Sequence, residues 1–265
     1  MTPLGPRTID LNCDMGERPG DNGIAADVRL MQWVTSVNIA CGAHAGNEPT
    51  ARAVATAASA RGLHIGAHPG YPDPANFGRV SVDISPAALE ASLTDQLRLF
   101  ARIASDLAIP ITHIKPHGAL YHDVLHQDAI ASAFTRAVRS IWNQGRCPVL
   151  VGFAGTHRLT QWRSAGFSVA AEAFAERRYA ADGSLLPRTQ PNALIETPEE
   201  AANQALDIAV HRCVSAGGHL IPIVADTICI HSDSPGPEAT TAAVHAALAR
   251  EGCVVKGLRG GREVP

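Results

Sequence analysis

The chain is poor in lysine. Of its 22 basic residues only Lys115 and Lys256 are lysines, and the rest are arginines. Charge of either sign is sparse, at 18% of 265 residues, and the formal net charge is -3. No overall field is therefore available to recruit nucleic acid or an anionic membrane surface. No apolar run reaches membrane-spanning length. The opening residues, MTPLGPRTIDLNCDMGE, lack the apolar core of a secretory signal. The six cysteines (Cys13, Cys41, Cys147, Cys213, Cys229 and Cys253) include no C-x-x-C pair, which argues against a zinc-thiolate site. Four of them lie in or beside apolar runs, as expected of reduced, buried thiols in a cytoplasmic protein. Signature loops are missing as well. There is no Gly-Lys dipeptide and so no P-loop, no G-x-S-x-G elbow, and no dinucleotide-binding glycine fingerprint after the first strand.

What is present is a repeating alternation. Hydrophobic residues make up 46% of the chain, enough to bury a substantial core. No composition break marks a linker, so residues 1–265 read as a single domain. Short apolar runs predict strands at 8–12, 36–41, 64–68, 112–116, 148–153 and 168–174, and a last one in the C-terminal half of 219–231. Helical patterns fall near 26–34, 48–61, 85–107, 128–143, 156–165, 197–216 and 238–250. Pro49 and Gly62 punctuate the second of these, Ser85-Pro86 opens the third, and Thr197-Pro198-Glu199-Glu200 forms a capping box. Seven or eight βα units with strands apolar on both faces indicate an α/β protein with a parallel sheet covered by helices. Without a glycine fingerprint, a closed TIM-like (β/α) barrel is favoured over an open doubly wound sheet.

In such a barrel, chemistry gathers at the C-terminal ends of the strands. There the sequence places Asn12, Asp14 and Glu17 (first strand), Asn38 and His44 (second), His68 (third), and Lys115 and His117 (fourth). Glu172, Glu176 and Arg177 follow on the sixth strand, and His231 and Asp233 on the seventh. The fifth strand ends in small residues, Gly152-Phe153-Ala154-Gly155, which leave room for substrate or a partner surface. Lys115 is the hardest to explain as packing. A lysine near the end of an apolar strand is desolvated, which is costly unless it is paired or used. Asp14 and Glu17 also suit a Gly-rich turn, and His44 a solvated loop. Arg79 and Arg177 suit either a carboxylate clamp or ordinary surface pairs. His64 belongs at the opposite end of the barrel, and His113, His122, His126, His157, His211, His219 and His245 outside the site. Asp14, His44, His68 and His117 could supply oxygen and imidazole ligands to a divalent metal that activates water, with a geometry that rests wholly on the fold.

The stretches IDLNCDMGE, SVNIACGAHAGNE, IGAHPGYPDPANFGR, HIKPHGALYHD, AFAERRYAADGSLLPR and TICIHSD occur in order from Ile9 to Asp233. Together they resemble the LamB/YcsF family, whose characterised members are A subunits of bacterial ATP-dependent 5-oxoprolinase. The loop GERPGDNGIAAD differs in polar detail, and Ala43 stands where many relatives have a bulky aromatic residue. Neither departure removes a titratable candidate. The resemblance implies a seven-stranded parallel barrel of the glycoside hydrolase/deacetylase type. It also implies opening of the cyclic amide of 5-oxo-L-proline to L-glutamate, coupled to ATP hydrolysis, in a complex with B and C subunits. ATP would be bound mainly by those partners, which suits the missing P-loop. A five-membered lactam is an unstrained amide that favours the closed ring, so opening it calls for coupling. Phosphorylation of the lactam oxygen by the partners is one route. On this reading Asp14 or Glu17 is the base and His117 the acid, while Lys115 and Arg177 hold phosphate or carboxylate. His44 and His68 orient water or a metal, and Asn12, Asn38, Arg79, Glu172 and His231 contact substrate. Two alternatives stay open: a stand-alone divalent-metal-dependent deacetylase or amidase on the same barrel, and a noncatalytic component that binds a ligand and presents it to partners. Homo-oligomerisation also stays open.

Overall fold

Along the chain, strand and helix alternate with few exceptions. A computed structural model describes residues 7–143, 147–234 and 236–258. β1 (Thr8–Met15) leads to α1 (Asp21–Leu30), β2 (Ser36–Ala40) to α2 (Glu48–Ser59), and β3 (His64–His68), through a short 3-10 turn, to α3 (Pro86–Asp106). β4 (His113–Ile114) is followed by two helices, α4 (Gly118–His126) and α5 (Asp128–Ile141). Then come β5 (Val149–Phe153), α6 (His157–Ser164), β6 (Val169–Phe174) and α7 (Pro198–Leu206). A hairpin of β7 (Cys213–Ala216) and β8 (His219–Pro222) intervenes before β9 (Thr227–Cys229), α8 (Pro237–Arg250) and β10 (Val254–Val255).

β1 through β6 pair in chain order, all parallel, and β9 pairs with both β6 and β1. Seven strands therefore close the expected barrel. β1 is long enough to take β10 at its start, β9 at its middle and β2 at its end. The helices wrap the outside, with α3 packed on α5 and α7 on α8. α5 shows why: Ile130, Ala133, Phe134, Ala137 and Val138 form one buried face at helical spacing. The expected punctuation is in place. Ser85 caps α3 by accepting from the Ala88 N–H, and Thr197 caps α7 by accepting from the Glu200 N–H, bonds worth about 1 kcal/mol each. All six cysteines are free thiols.

Three elements differ from the sequence expectation. α1 begins at Asp21, not near residue 26, because Gly20 turns the chain at φ 86° and Gly23 lets the first helical turn sit directly on the Arg18 carbonyl. α4 follows His117 immediately, where the sequence suggested only a strand end. The helix expected to run to residue 216 stops at Leu206 and passes through a π turn, Asp207–His211. Arg212 then reverses the chain in the left-handed region, and Gly217-Gly218, both at positive φ, tie the β7–β8 hairpin. A Gly-Gly pair between two short apolar runs is a recognisable hairpin signal.

The barrel interior contains a histidine. His113 is fully buried on β4, and its Nε2 donates to Asn38 Oδ1 at 2.7 Å. The ring lies across Gly66 on β3, where any Cβ would come within 2.3 Å of it. Burial, reinforced by the positive charges of His64 and Lys115, lowers its pKa from 6.5 to about 3. A depressed folded-state value means that its stabilising contribution is complete above the unfolded pKa and is lost as pH falls towards 3. Acidification from pH ~7 to pH ~5 is therefore expected to lower the unfolding free energy by about 2 kcal/mol through this residue. Urea titrations at the two pH values check this. His113→Gln should lose that part of the pH dependence, and an unchanged pH slope in the variant would contradict the assignment.

Candidate active site

Lys115 stands one residue beyond β4, and its backbone N–H donates to the Ala67 carbonyl at 3.0 Å, extending the pairing with β3. The side chain turns into the barrel and is only 3% exposed. Its Nζ donates to Asp14 Oδ1 at 2.9 Å and lies 3.0 Å from Glu172 Oε1, 3.1 Å from Cys229 Sγ and 3.4 Å from Asn12 Oδ1. Burial alone would lower its pKa, but Asp14, with Cys229 and Glu172, holds it well above the ordinary lysine value. Burial pushes the Asp14 carboxyl up, yet His68 and Lys115 outweigh it and hold it well below the usual carboxylate range. The pair is an ionised ammonium–carboxylate with both side chains buried. All the lysine's N–H donors face protein acceptors, so it is not the free anion-holding cation that the sequence suggested.

A ladder of amides supports this pair. Asn38 Nδ2 donates to both Asn12 Oδ1 (2.7 Å) and Asp14 Oδ1 (2.8 Å). Asn12 Nδ2 donates to Glu172 Oε1 (3.0 Å) and to Thr227 Oγ1 (2.7 Å), which in turn donates to Asp10 Oδ2 (2.5 Å). Asn12, Asn38 and Glu172 were expected to touch substrate. They lie beneath the cavity, where the amides of Asn12 and Asn38 and Glu172 Oε1 are committed to Lys115, Asp14, Thr227, His113 and one another.

Above the ladder sits an imidazole cluster. His68 Nδ1 faces the Lys115 carbonyl at 2.7 Å and must donate to it, which turns Nε2 towards the cluster. His117 Nε2 likewise donates to the Phe77 carbonyl at 2.8 Å, leaving the Nδ1 lone pair. His68 Nε2 and His117 Nδ1 face each other across 3.0 Å, with Glu17 Oε1 3.2 Å from His117 Nδ1 and Asp14 Oδ2 3.2 Å from His68 Nε2. His44 stacks on His117 at 3.8 Å and brings its Nε2 to 3.5 Å from Glu17 Oε1. Far from being solvated, His44 is buried, and burial lowers its pKa to about 4. Among the described residues, neither ring nitrogen of His44, nor Glu17 Oε1, finds a hydrogen-bond partner of good geometry. A shared proton or a cation would match facing ring nitrogens and orphaned acceptors of this kind. Ligand atoms of Glu17, His44, His68 and His117 all lie within 4.8 Å of one another, a set that fits a divalent metal. The carbonyl bonds of His68 and His117 are the outer hydrogen bonds that orient metal-binding imidazoles. The carboxylate of this set is Glu17 in place of the expected Asp14, because Lys115 and Asn38 claim Asp14 Oδ1 and Asp14 groups instead with Cys229 and His231.

His231 completes the floor. Its Nδ1 is held by Glu176 Oε1 in a close contact, its ring stacks on Phe174 at 5.5 Å, and its Nε2 is 3.9 Å from Asp14 Oδ2. The cavity above has a volume of about 620 Å³. Asp14, His68, Lys115, His117 and His231 form its floor, and Arg79, Arg177 and Arg188 stand on its wall. Among the expected residues, then, Asp14, His68, Lys115, His117, His231, Arg79 and Arg177 share one cavity, and Glu17 and His44 lie just under it. The small-residue end of β5 leaves no room after all. Phe153 stacks on Phe174 and Tyr179 and closes that side. Glu176 and Arg188 were not counted as site residues. Glu176 was visible at a strand end, but Arg188 comes from a long loop whose path no periodicity reveals.

The fold and site define a β/α-barrel protein with a buried carboxylate–imidazole–ammonium centre at its strand ends. The chain belongs to the LamB/YcsF family, whose model matches residues 9–262. It is 41% identical over 251 residues to the A subunit of 5-oxoprolinase from Tolumonas auensis, covering 94% of this chain and 99% of the relative. The A subunit of 5-oxoprolinase from Streptomyces griseus is 39% identical over 249 residues, covering 94% and 98%. The crystal structure of a lactam utilization protein from Thermus thermophilus superposes with a TM-score of 0.85 at 35% identity, covering 94% of this chain and 99% of that one.

Lys115→Met strands the Asp14 and Glu172 carboxylates without their shared cation. The expected cost is about 3–5 kcal/mol in unfolding free energy, read by denaturant titration. A loss below about 1 kcal/mol would show that Lys115 does not hold the centre together.

Proposed function

We propose that this chain opens the lactam ring of 5-oxo-L-proline to L-glutamate, acting as the A subunit of an ATP-dependent 5-oxoprolinase. The observation that carries the proposal is one cavity whose floor presents an ionised carboxylate, Asp14, beside the pair His231–Glu176. Relatives named as 5-oxoprolinase A subunits, and the lactam utilization protein of T. thermophilus, support the choice of a cyclic amide.

Hydrolysis of an amide needs a base for water and an acid for the leaving nitrogen. Asp14 Oδ2 is the carboxylate oxygen not held by Lys115, and it serves as the base. Asn38 and Lys115 fix its partner oxygen, so these two are positioning residues. The acid is His231 in place of His117. Both His117 nitrogens are committed, one to Phe77 and one to the buried cluster, whereas His231 keeps Nε2 towards the cavity. To act as the acid, His231 enters the step as the imidazolium: Glu176 accepts from Nδ1–H, and the Nε2–H gives its proton to the leaving nitrogen while Asp14 takes one from water. A divalent cation held by Glu17, His44, His68 and His117 would supply Lewis acidity and make nearby water easier to deprotonate. Activation of the lactam by ATP falls to the partner subunits.

A second reading, a metal-dependent amidase or deacetylase that needs no partner, draws on the metal-fitting set alone. One assay separates the two. The purified chain, its B and C partners, 5-oxo-L-proline and ATP are mixed, each is omitted in turn, and glutamate is measured. Release should require every component, and Asp14→Asn should lower kcat by about a thousandfold or more. Glutamate formation that is indifferent to omission of this chain defeats the proposal, and turnover without partners or ATP favours the second reading. For the metal, chelator-treated chain should take up about one equivalent of Zn²⁺ or Mn²⁺ by calorimetry, with Glu17→Gln weakening uptake at least about tenfold. Uptake that is absent, or unchanged in that variant, removes the metal from the account.

A further inference from the structure

The cavity has two chemically distinct sides. Its floor carries the Asp14 carboxylate. Its wall carries three guanidinium groups, and they are not equivalent. Arg79 is engaged in a close ion pair with Asp233. Arg188 lies 3.7 Å from the other oxygen of that same Asp233. Arg177, directly after Glu176, is only 4% exposed although it lines the cavity. One of its terminal nitrogens donates to the Leu186 carbonyl at 2.6 Å, while its Nε has no partner among the described residues. An unmatched N–H on a buried guanidinium is costly unless something fills it. The carboxylates facing this wall are Asp233, shared by two arginines, and Glu176, which His231 engages. Three cations against these two anions leave the wall positive, opposite a negative floor.

We propose that Arg177 and Arg188 form a carboxylate-binding subsite that orients the substrate, with its carboxylate on the arginine wall and its amide over Asp14. This deepens the 5-oxo-L-proline reading and rests on it. The planar fork of Arg177, pinned by Leu186, matches the two oxygens of a carboxylate. Repulsion by Asp14 disfavours the reversed pose. Of the two clamps that the sequence suggested, Arg79 and Arg177, Arg79 is instead committed to Asp233. The subsite therefore selects lactams that bear an α-carboxylate over the bare ring.

The test uses the complete assembly of this chain with its partners. Turnover of 5-oxo-L-proline is compared with that of 2-pyrrolidinone, the same lactam without the carboxylate, and inorganic phosphate is added as a competing oxyanion. The wild type should prefer 5-oxo-L-proline by at least about tenfold in kcat/KM. Arg177→Gln and Arg188→Gln should each cut that preference at least about threefold, mainly through KM, and Arg177→Lys should recover part of it. Arg188 is partly exposed, so its variant guards against misfolding at Arg177. A preference that is absent in the wild type, or undiminished in the variants, overturns the subsite. So do variants that abolish phosphate inhibition but leave the preference intact, because the wall would then read a phosphoryl group. An assembly that releases no glutamate at all instead marks failure of the underlying reading.

Discussion

A buried ammonium shared by two carboxylates organises this molecule. Lys115 sits between Asp14 on β1 and Glu172 on β6, the two strands that flank β9, and joins them through one nitrogen. Removing three charges from water is expensive, and the expense is offset only when every donor and acceptor is matched. Most of the matching is done by Asn12, Asn38 and Thr227, which occupy the barrel core where aliphatic side chains would normally pack, and Glu172 Oε2 is left without a hydrogen-bond partner among the described residues. The interior is thus specified by hydrogen-bond geometry as much as by volume.

Function follows from the same constraint. Because Lys115 and Asn38 fix Asp14 Oδ1, the other oxygen points to the imidazoles and the cavity in a single orientation. Because the Lys115 backbone carbonyl accepts from His68 Nδ1, the lysine also sets which nitrogen of His68 is free. One residue therefore orients both a carboxylate and an imidazole. Glu176 does the same for His231 on the opposite side. Carboxylate below and guanidinium at the side give the cavity a polarity that a neutral ligand would not use.

Much of this was legible in the sequence. The seven barrel strands were visible because each is a short apolar run bounded by turn residues, and a lysine in such a run in an arginine-rich chain marked the centre. Choosing Glu17 over Asp14 as the carboxylate of the imidazole set was beyond reach, since it depends on Gly16 turning the chain at φ 73° and on Lys115 claiming Asp14 first. The burial of His44 was hidden for a similar reason. The close approach of Gly70 and Gly78 that covers it is a tertiary fact. Arg188 was missed because its loop carries neither period nor motif. The hairpin at 213–222 was missed although its Gly-Gly turn was in plain view, because the capping box at Thr197 suggested a longer helix.

The scarcity of lysine offers a direct measurement. With ¹⁵N-labelled lysine, only Lys115 and the exposed Lys256 contribute side-chain nitrogen signals. A pH titration by NMR should show the Lys115 nitrogen still fully an ammonium, with slowly exchanging protons, at about pH 10.5, where free lysine is roughly half deprotonated. A Lys115 signal that moves to the neutral amine at or below that pH would contradict a charged ammonium locked between Asp14 and Glu172.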